Sequence, residues 1–166
     1  QLVEAYYDNY KNSSRDTTLS VSNSNFKKAK LEAERSWYRQ KENKRLSFFD
    51  GIPASWKDVI DVKGMPAYGG SNVIKKLRKD YHVSDAKAVE NAKKKGIVSL
   101  FKTSTVEFAF GGLGINNTVK YPKNHFLCNS YCPGGSSSGA AVSVYKNLVP
   151  LSVGTDTAGS IRIPAA

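Results

Sequence analysis

Two stretches of the chain repeat one order of elements, and that order narrows the fold more than any other feature. In the first, Asp85–Lys95 carries acid early and lysines late, follows Ser84 as a capping residue and stops at Gly96. Such a segment predicts a helix whose dipole is matched by charge at both ends. The apolar run Ile97–Phe101 follows as a short strand. In the second stretch, Ser137–Asn147 reads as a helix entered from Pro133-Gly134-Gly135, and Leu148–Val153 as the next strand. Upstream, the turn Asp50-Gly51-Ile52-Pro53 leads into Ala54–Val62, which reads as strand. Strands alternating with helices predict an α/β fold with at least partly parallel pairing.

The remaining segments fit around that frame. Residues 26–44 are rich in helix formers, with Phe26, Ala29, Ala33 and Trp37 spaced for one face. Residues 8–25 are polar and turn-rich and read as a loop or poorly ordered lead-in, and residues 111–135 as irregular structure. The expected organisation is therefore a lead-in and N-terminal helix over 1–45 and an α/β domain over 46–166. A chain of 166 residues, 40% hydrophobic and 23% charged, is long enough for one domain with a sizeable core.

Twenty-five basic against 14 acidic residues give a net charge of +11, which favours anionic partners. Most of the excess lies before residue 101, in runs such as Lys27-Lys28-Ala29-Lys30 and Lys93-Lys94-Lys95, and solvated helix faces explain these more simply. Cys128 and Cys132 make neither a disulfide framework nor, with His82 and His125, a zinc spacing, so no metal is expected. No apolar run approaches the roughly 20 residues of a bilayer span, and no leader is visible, so the expected compartment is the cytoplasm.

Chemistry concentrates near the C-terminus. Gly134-Gly135-Ser136-Ser137-Ser138-Gly139 opens a helix and could cradle an anion on free N–H groups, yet it lacks the lysine ending of a P-loop. Gly154-Thr155-Asp156-Thr157-Ala158-Gly159-Ser160 follows an apolar strand, and its small residues allow successive amides to converge on an oxyanion beside a serine. A serine nucleophile needs a base. The two histidines lack matching context, whereas a lysine kept neutral by burial can serve. Lys57 is the one lysine with apolar and aromatic neighbours on both sides, in Trp56, Val59 and Ile60.

From Leu46 onward the chain resembles the amidase-signature family. The resemblance rests on Gly51-Ile52-Pro53 with Lys57-Asp58 and Asp61-Val62-Lys63-Gly64, on Ser84-Asp85-Ala86, on Lys102-Thr103 with Glu107-Phe108-Ala109, and on Pro133 to Ala141 and Gly154 to Pro164. It implies a mixed, twisted sheet covered by helices, present here only in its N-terminal half and cut after the nucleophile motif. It also implies a Ser–cis-Ser–Lys triad. Ser160 would attack an amide carbonyl, Ser136, entered through a cis Gly135–Ser136 peptide, would relay the proton, and Lys57 would accept it. The amides of Thr157, Ala158, Gly159 and Ser160 would form the oxyanion hole, with Asp58, Thr155, Asp156 and Arg162 as supports. Ser137 and Ser138 read as helix caps and Lys102 as a structural lysine.

The implied activity is cofactor-free hydrolysis of a small-molecule carboxamide to a carboxylate and ammonia or amine. Two alternatives stand beside it: the glutaminase component of a tRNA-dependent amidotransferase, or a truncated, non-catalytic relative. The expected partners are accordingly a second copy or the other amidotransferase subunits, with nucleic acid only in the amidotransferase case. Ala158, where the family commonly has Gly, and Ser99 and Phe101, ahead of Lys102, depart from its pattern without touching the triad.

Overall fold

The computed structural model of the chain describes residues 2–78, 84–126 and 131–166. His82 and Cys128 lie outside the described residues. Four strands among the described residues form one sheet: β1 (Val21–Ser24), β2 (Pro53–Lys57), β3 (Val98–Thr103) and β4 (Leu151–Val153), in the order β1-β3-β2-β4. β2 runs parallel to both β3 and β4, while β1 pairs antiparallel with β3. The fold is mixed α/β. The parallel pairs are those joined by helical connections, α4 (Asn72–Leu77) and α5 (Lys87–Lys94) between β2 and β3, and α6 (Ser138–Tyr145) before β4.

The N-terminus departs from the sequence reading. Residues 8–25 are structured, within α1 (Leu2–Asn12), α2 (Arg15–Thr18) and β1. The cause is aromatic burial that the polar composition masks. Val3 is fully buried, Tyr7 stacks on Phe26 with ring centroids 3.9 Å apart, and Tyr10 tilts against Phe101 at 5.0 Å. This layer, with Ala29 of α3 (Phe26–Lys41), packs against Val98, Leu100 and Phe101 of β3 and against Leu148 and Val149. Asn25 caps α3 by accepting from Lys28 N–H.

A second apolar cluster joins Trp56, Val62 and Met65 to Val89 of α5. There Ser99 has a specific task, accepting the Trp56 indole N–H at 3.0 Å, so a buried donor is satisfied where an apolar residue would leave it orphaned. The start of α5 also differs from expectation. Its N-cap is Ala86, without a side-chain cap. Asp85 instead pairs with Lys93 at 2.6 Å and accepts Lys63 N–H at 2.7 Å. Gly96 ends α5 with φ +84, and a Cβ there would lie 2.3 Å from the Asp50 carboxylate. That carboxylate is clasped by Arg39 through two hydrogen bonds, at 2.9 and 2.6 Å.

Candidate active site

The carboxyl ends of β2, β3 and β4 converge, and the residues expected to carry chemistry gather there, as they do where parallel strands end. Lys57 is the last residue of β2 and is fully buried. Its Nζ donates to Ser136 Oγ at 2.7 Å, to Thr155 Oγ1 at 2.8 Å and to Thr155 O at 3.4 Å. No carboxylate lies within ion-pair distance of it among the described residues. Burial pushes its amine down to about 8, with the distant Asp156 charge opposing.

Ser136 sits in the turn before α6, and its preceding peptide bond to Gly135 is cis. The turn is stitched from both sides. Gly134 and Gly135 donate their N–H groups to Leu113 O and Gly112 O at 3.2 and 2.8 Å. Ser136 O accepts Thr105 Oγ1 at 2.9 Å and Val106 N–H at 3.3 Å. Gly139, at the start of α6, meets a neighbouring backbone directly, since a Cβ on it would lie 2.4 Å from both Ser104 N and Ser20 O. Ser137 occupies the N-cap position of α6 but makes no cap bond; its hydroxyl donates to Thr155 O at 3.3 Å. Ser138 Oγ is buried with no hydrogen-bond partner among the described residues. Neither serine caps as the sequence predicts, because the backbone amides of this first turn are already engaged by Ser104 O and Ser137 O.

Ser160 joins the cluster through its main chain, with Ser137 N–H donating to Ser160 O at 3.0 Å. Among the described residues its hydroxyl makes no hydrogen bond. The structure therefore brings Lys57, Ser136 and Thr155 into direct contact and holds Ser160 beside them with an unengaged Oγ. Asp156 organises the turn that carries Ser160. It accepts the N–H groups of Gly159, Ile161 and Arg162 and both ends of the Arg162 guanidinium, whose paired hydrogen bonds hold its carboxyl well below the usual range. One consequence departs from expectation: the Gly159 amide is committed to Asp156 Oδ1 at 2.8 Å. The amides of Thr157, Ala158 and Ser160 make no hydrogen bond among the described residues.

Asp58 is buried, and burial raises its carboxyl against the pull of Lys102. It touches the loop rather than the reacting groups, accepting Gly70 N–H at 3.1 Å. His125 lies beside Asp16 and Lys146, with burial lowering its ring. Among the described residues no group of three His, Cys, Asp or Glu could hold a metal, and no helix is long and apolar enough to cross a membrane. A cavity of about 600 Å³ opens between α1, α3 and residues 45–52. It contains none of these side chains, so its size carries no weight against the hydrogen-bonded cluster.

Sequence reasoning gave Thr155 only a supporting role, yet it is the second acceptor on Lys57. The missing signal was geometric: β4 pairs with β2 in a register that sets Val153 against Trp56, which carries Thr155 past the end of β2 to the Lys57 amine.

Comparison with known proteins places the whole chain among relatives of one family. The family model described as Amidase matches residues 1–166. A 2-amino-5-chloromuconic acid deaminase from Comamonas testosteroni is 42% identical over 117 residues, covering 70% of this chain and 25% of the relative. The A-type subunit of a glutamyl-tRNA(Gln) amidotransferase from Leptospira interrogans is 37% identical over 140 residues, covering 84% and 28%. The solved structure of a peptide amidase from Stenotrophomonas maltophilia superposes with a TM-score of 0.87 at 29% identity, covering 99% of this chain and 34% of that one. The chain thus spans about a quarter of the length of these curated relatives and about a third of the solved structure.

Proposed function

The chain belongs to the amidase family, and on that premise we propose that it supplies the nucleophile and base of an enzyme hydrolysing a carboxamide to a carboxylate and ammonia or an amine. One observation carries the reading: the buried Lys57 amine, without a carboxylate partner among the described residues, bonds Ser136 Oγ at 2.7 Å. A neutral amine in that position accepts the Ser136 proton as Ser136 takes the proton of Ser160. Ser160 Oγ, free to turn toward Ser136, then bonds the amide carbon while the carbonyl π pair moves onto oxygen. The N–H groups of Thr157, Ala158 and Ser160 receive that oxyanion. As the C–N bond breaks, the proton returns through Ser136 to the leaving nitrogen, and ammonia or an amine departs from a Ser160 ester. Water repeats the sequence on that ester, releasing the carboxylate and restoring the serine. The reducing cytoplasm is the compartment in keeping with this reading.

Labelling with a fluorophosphonate tests it. The wild-type chain is expected to take up one probe at Ser160, and Ser160→Ala to take up none. A Ser160→Ala protein that labelled or turned over substrate like wild type would end this mechanism.

A second reading is favoured by the Leptospira interrogans relative, whose similarity extends over 84% of this chain. In it, the same machinery releases ammonia from glutamine as the glutaminase component of a tRNA-dependent amidotransferase. Ammonia release from glutamine that appears only with copurified partner subunits distinguishes it from a free-standing amidase.

A further inference from the structure

Two lysines are fully buried at the carboxyl ends of adjacent strands, and the proposed reaction uses one of them. Lys102 lies on β3 opposite Trp56, while Lys57 lies opposite Thr103. Because side chains alternate along a strand, the two lysines leave the sheet on opposite faces. Lys102 Nζ donates to the main-chain carbonyl of Ile60, three residues past Lys57. Ile60 N–H in turn donates to Lys57 O at 2.9 Å. Lys102 therefore grips a turn that closes directly onto the backbone of the catalytic lysine.

Asp58 and Asp61 are the carboxylates whose charge acts on Lys102 among the described residues, both beyond ion-pair distance. Asp58 binds the same turn to the sheet: its N–H donates to Thr103 O at 3.0 Å and its carbonyl accepts Gly69 N–H at 2.9 Å. Its Oδ2 accepts Gly70 N–H, while Oδ1 is buried with no hydrogen-bond partner among the described residues. Burying an ammonium and a carboxylate is expensive, and a methionine of similar volume would fill the space of Lys102 without that expense. What methionine lacks is a donor for Ile60 O.

We propose that Lys102, with Asp58 as its countercharge, is a positioning residue that fixes the turn after β2 from the far face of the sheet, so that the Lys57 amine is delivered to Ser136. The proposal rests on the reading of Lys57 as the base, and it adds a second buried lysine whose work is geometric.

The test compares Lys102→Met with the double variant Lys102→Met/Asp58→Asn in the 166-residue chain. The single variant leaves Asp58 without its countercharge and is expected to unfold at lower urea. The double variant removes both charges and keeps an acceptor for Gly70, so its unfolding midpoint is expected to recover. Its fluorophosphonate labelling is nevertheless expected to stay at least ~10-fold slower than wild type, the loss typical of a small misplacement of reacting groups. In parallel, the Lys57 13Cε resonance is expected to titrate at higher pH, as the amine slips from its dry place against Ser136. A double variant that labels at the wild-type rate, with an unmoved Lys57 titration, overturns the proposal and leaves Lys102 a fold support only. If the wild-type chain is not labelled, the nucleophile reading of Ser160 fails by itself. The Lys57 titration then decides the positioning role, because it needs no reaction.

Discussion

An ordinary lysine is almost wholly protonated at neutral pH, so the chemistry asked of Lys57 depends on how far its surroundings lower its proton affinity. With the amine at about 8 rather than 10.5, roughly a tenth of it is neutral at pH 7, some 300-fold more than an unperturbed lysine offers. Fluorophosphonate labelling of Ser160 is accordingly expected to rise with pH and level off above about 8; a flat profile from pH 6 to 9 would remove Lys57 as the base. The same shift has a stability signature. Lys57 and Lys102 both bind their protons more weakly in the folded chain, at about 8. Between about 8 and 10.5 the unfolded chain therefore holds more protons, and stability contributed by these residues rises with pH. The stability of wild type relative to Lys57→Met, from urea unfolding, is expected to increase across that window, and a constant difference would contradict it. The burial of Lys57 was legible because its apolar neighbours in sequence announce it. Thr155 was not, since its contact with Lys57 arises from strand pairing that no local pattern records.

Elements came through the sequence where charge and glycine mark their ends, and less well where tertiary contacts set them. Gly96 stops α5 as expected, by adopting a left-handed backbone against Asp50. The start of α5 shifted because Asp85 found Lys93 and Lys63 in place of a cap. Helix α6 holds a sharper case in Gly139. Helix propensity alone says that Gly139→Ala should stabilise by nearly 1 kcal/mol. The structure says the reverse, because the new methyl would meet Ser104 N and Ser20 O at 2.4 Å, and both are backbone atoms that cannot step aside. Overpacking of this kind costs about 1–3 kcal/mol, so the variant is expected to unfold at lower urea than wild type. A gain in stability would show that α6 does not seat on the end of β3 as described.

At the scale of the whole molecule, the first 24 residues matter more to the site than their distance in sequence from Ser160 implies. They read as lead-in because their polar residues outnumber the apolar ones, and because β1 has too few residues to show an alternating pattern. In the fold they supply the antiparallel neighbour of β3 and the aromatic layer over Phe101. They also reach the back of the turn that carries Ser136: Ser104 N–H donates to Ser20 O at 2.9 Å, Ser104 Oγ donates to Leu19 O, and Gly139 rests on Ser20 O. The end of β3 and the residues just after it, which through Thr105 hold the Ser136 carbonyl, are thus buttressed by the N-terminus. Removing residues 1–24 would expose Phe101 and Leu100 to water, at about 1.5–3 kcal/mol for each large side chain uncovered, and would leave the Ser104 N–H without its acceptor. Such losses rival the total stability of a domain this size. The truncated chain is therefore expected to lose its cooperative unfolding transition and its labelling at Ser160 together. A truncated chain that melts cooperatively and labels at the wild-type rate would return these residues to the role of a dispensable leader and confine the site to the parallel strands.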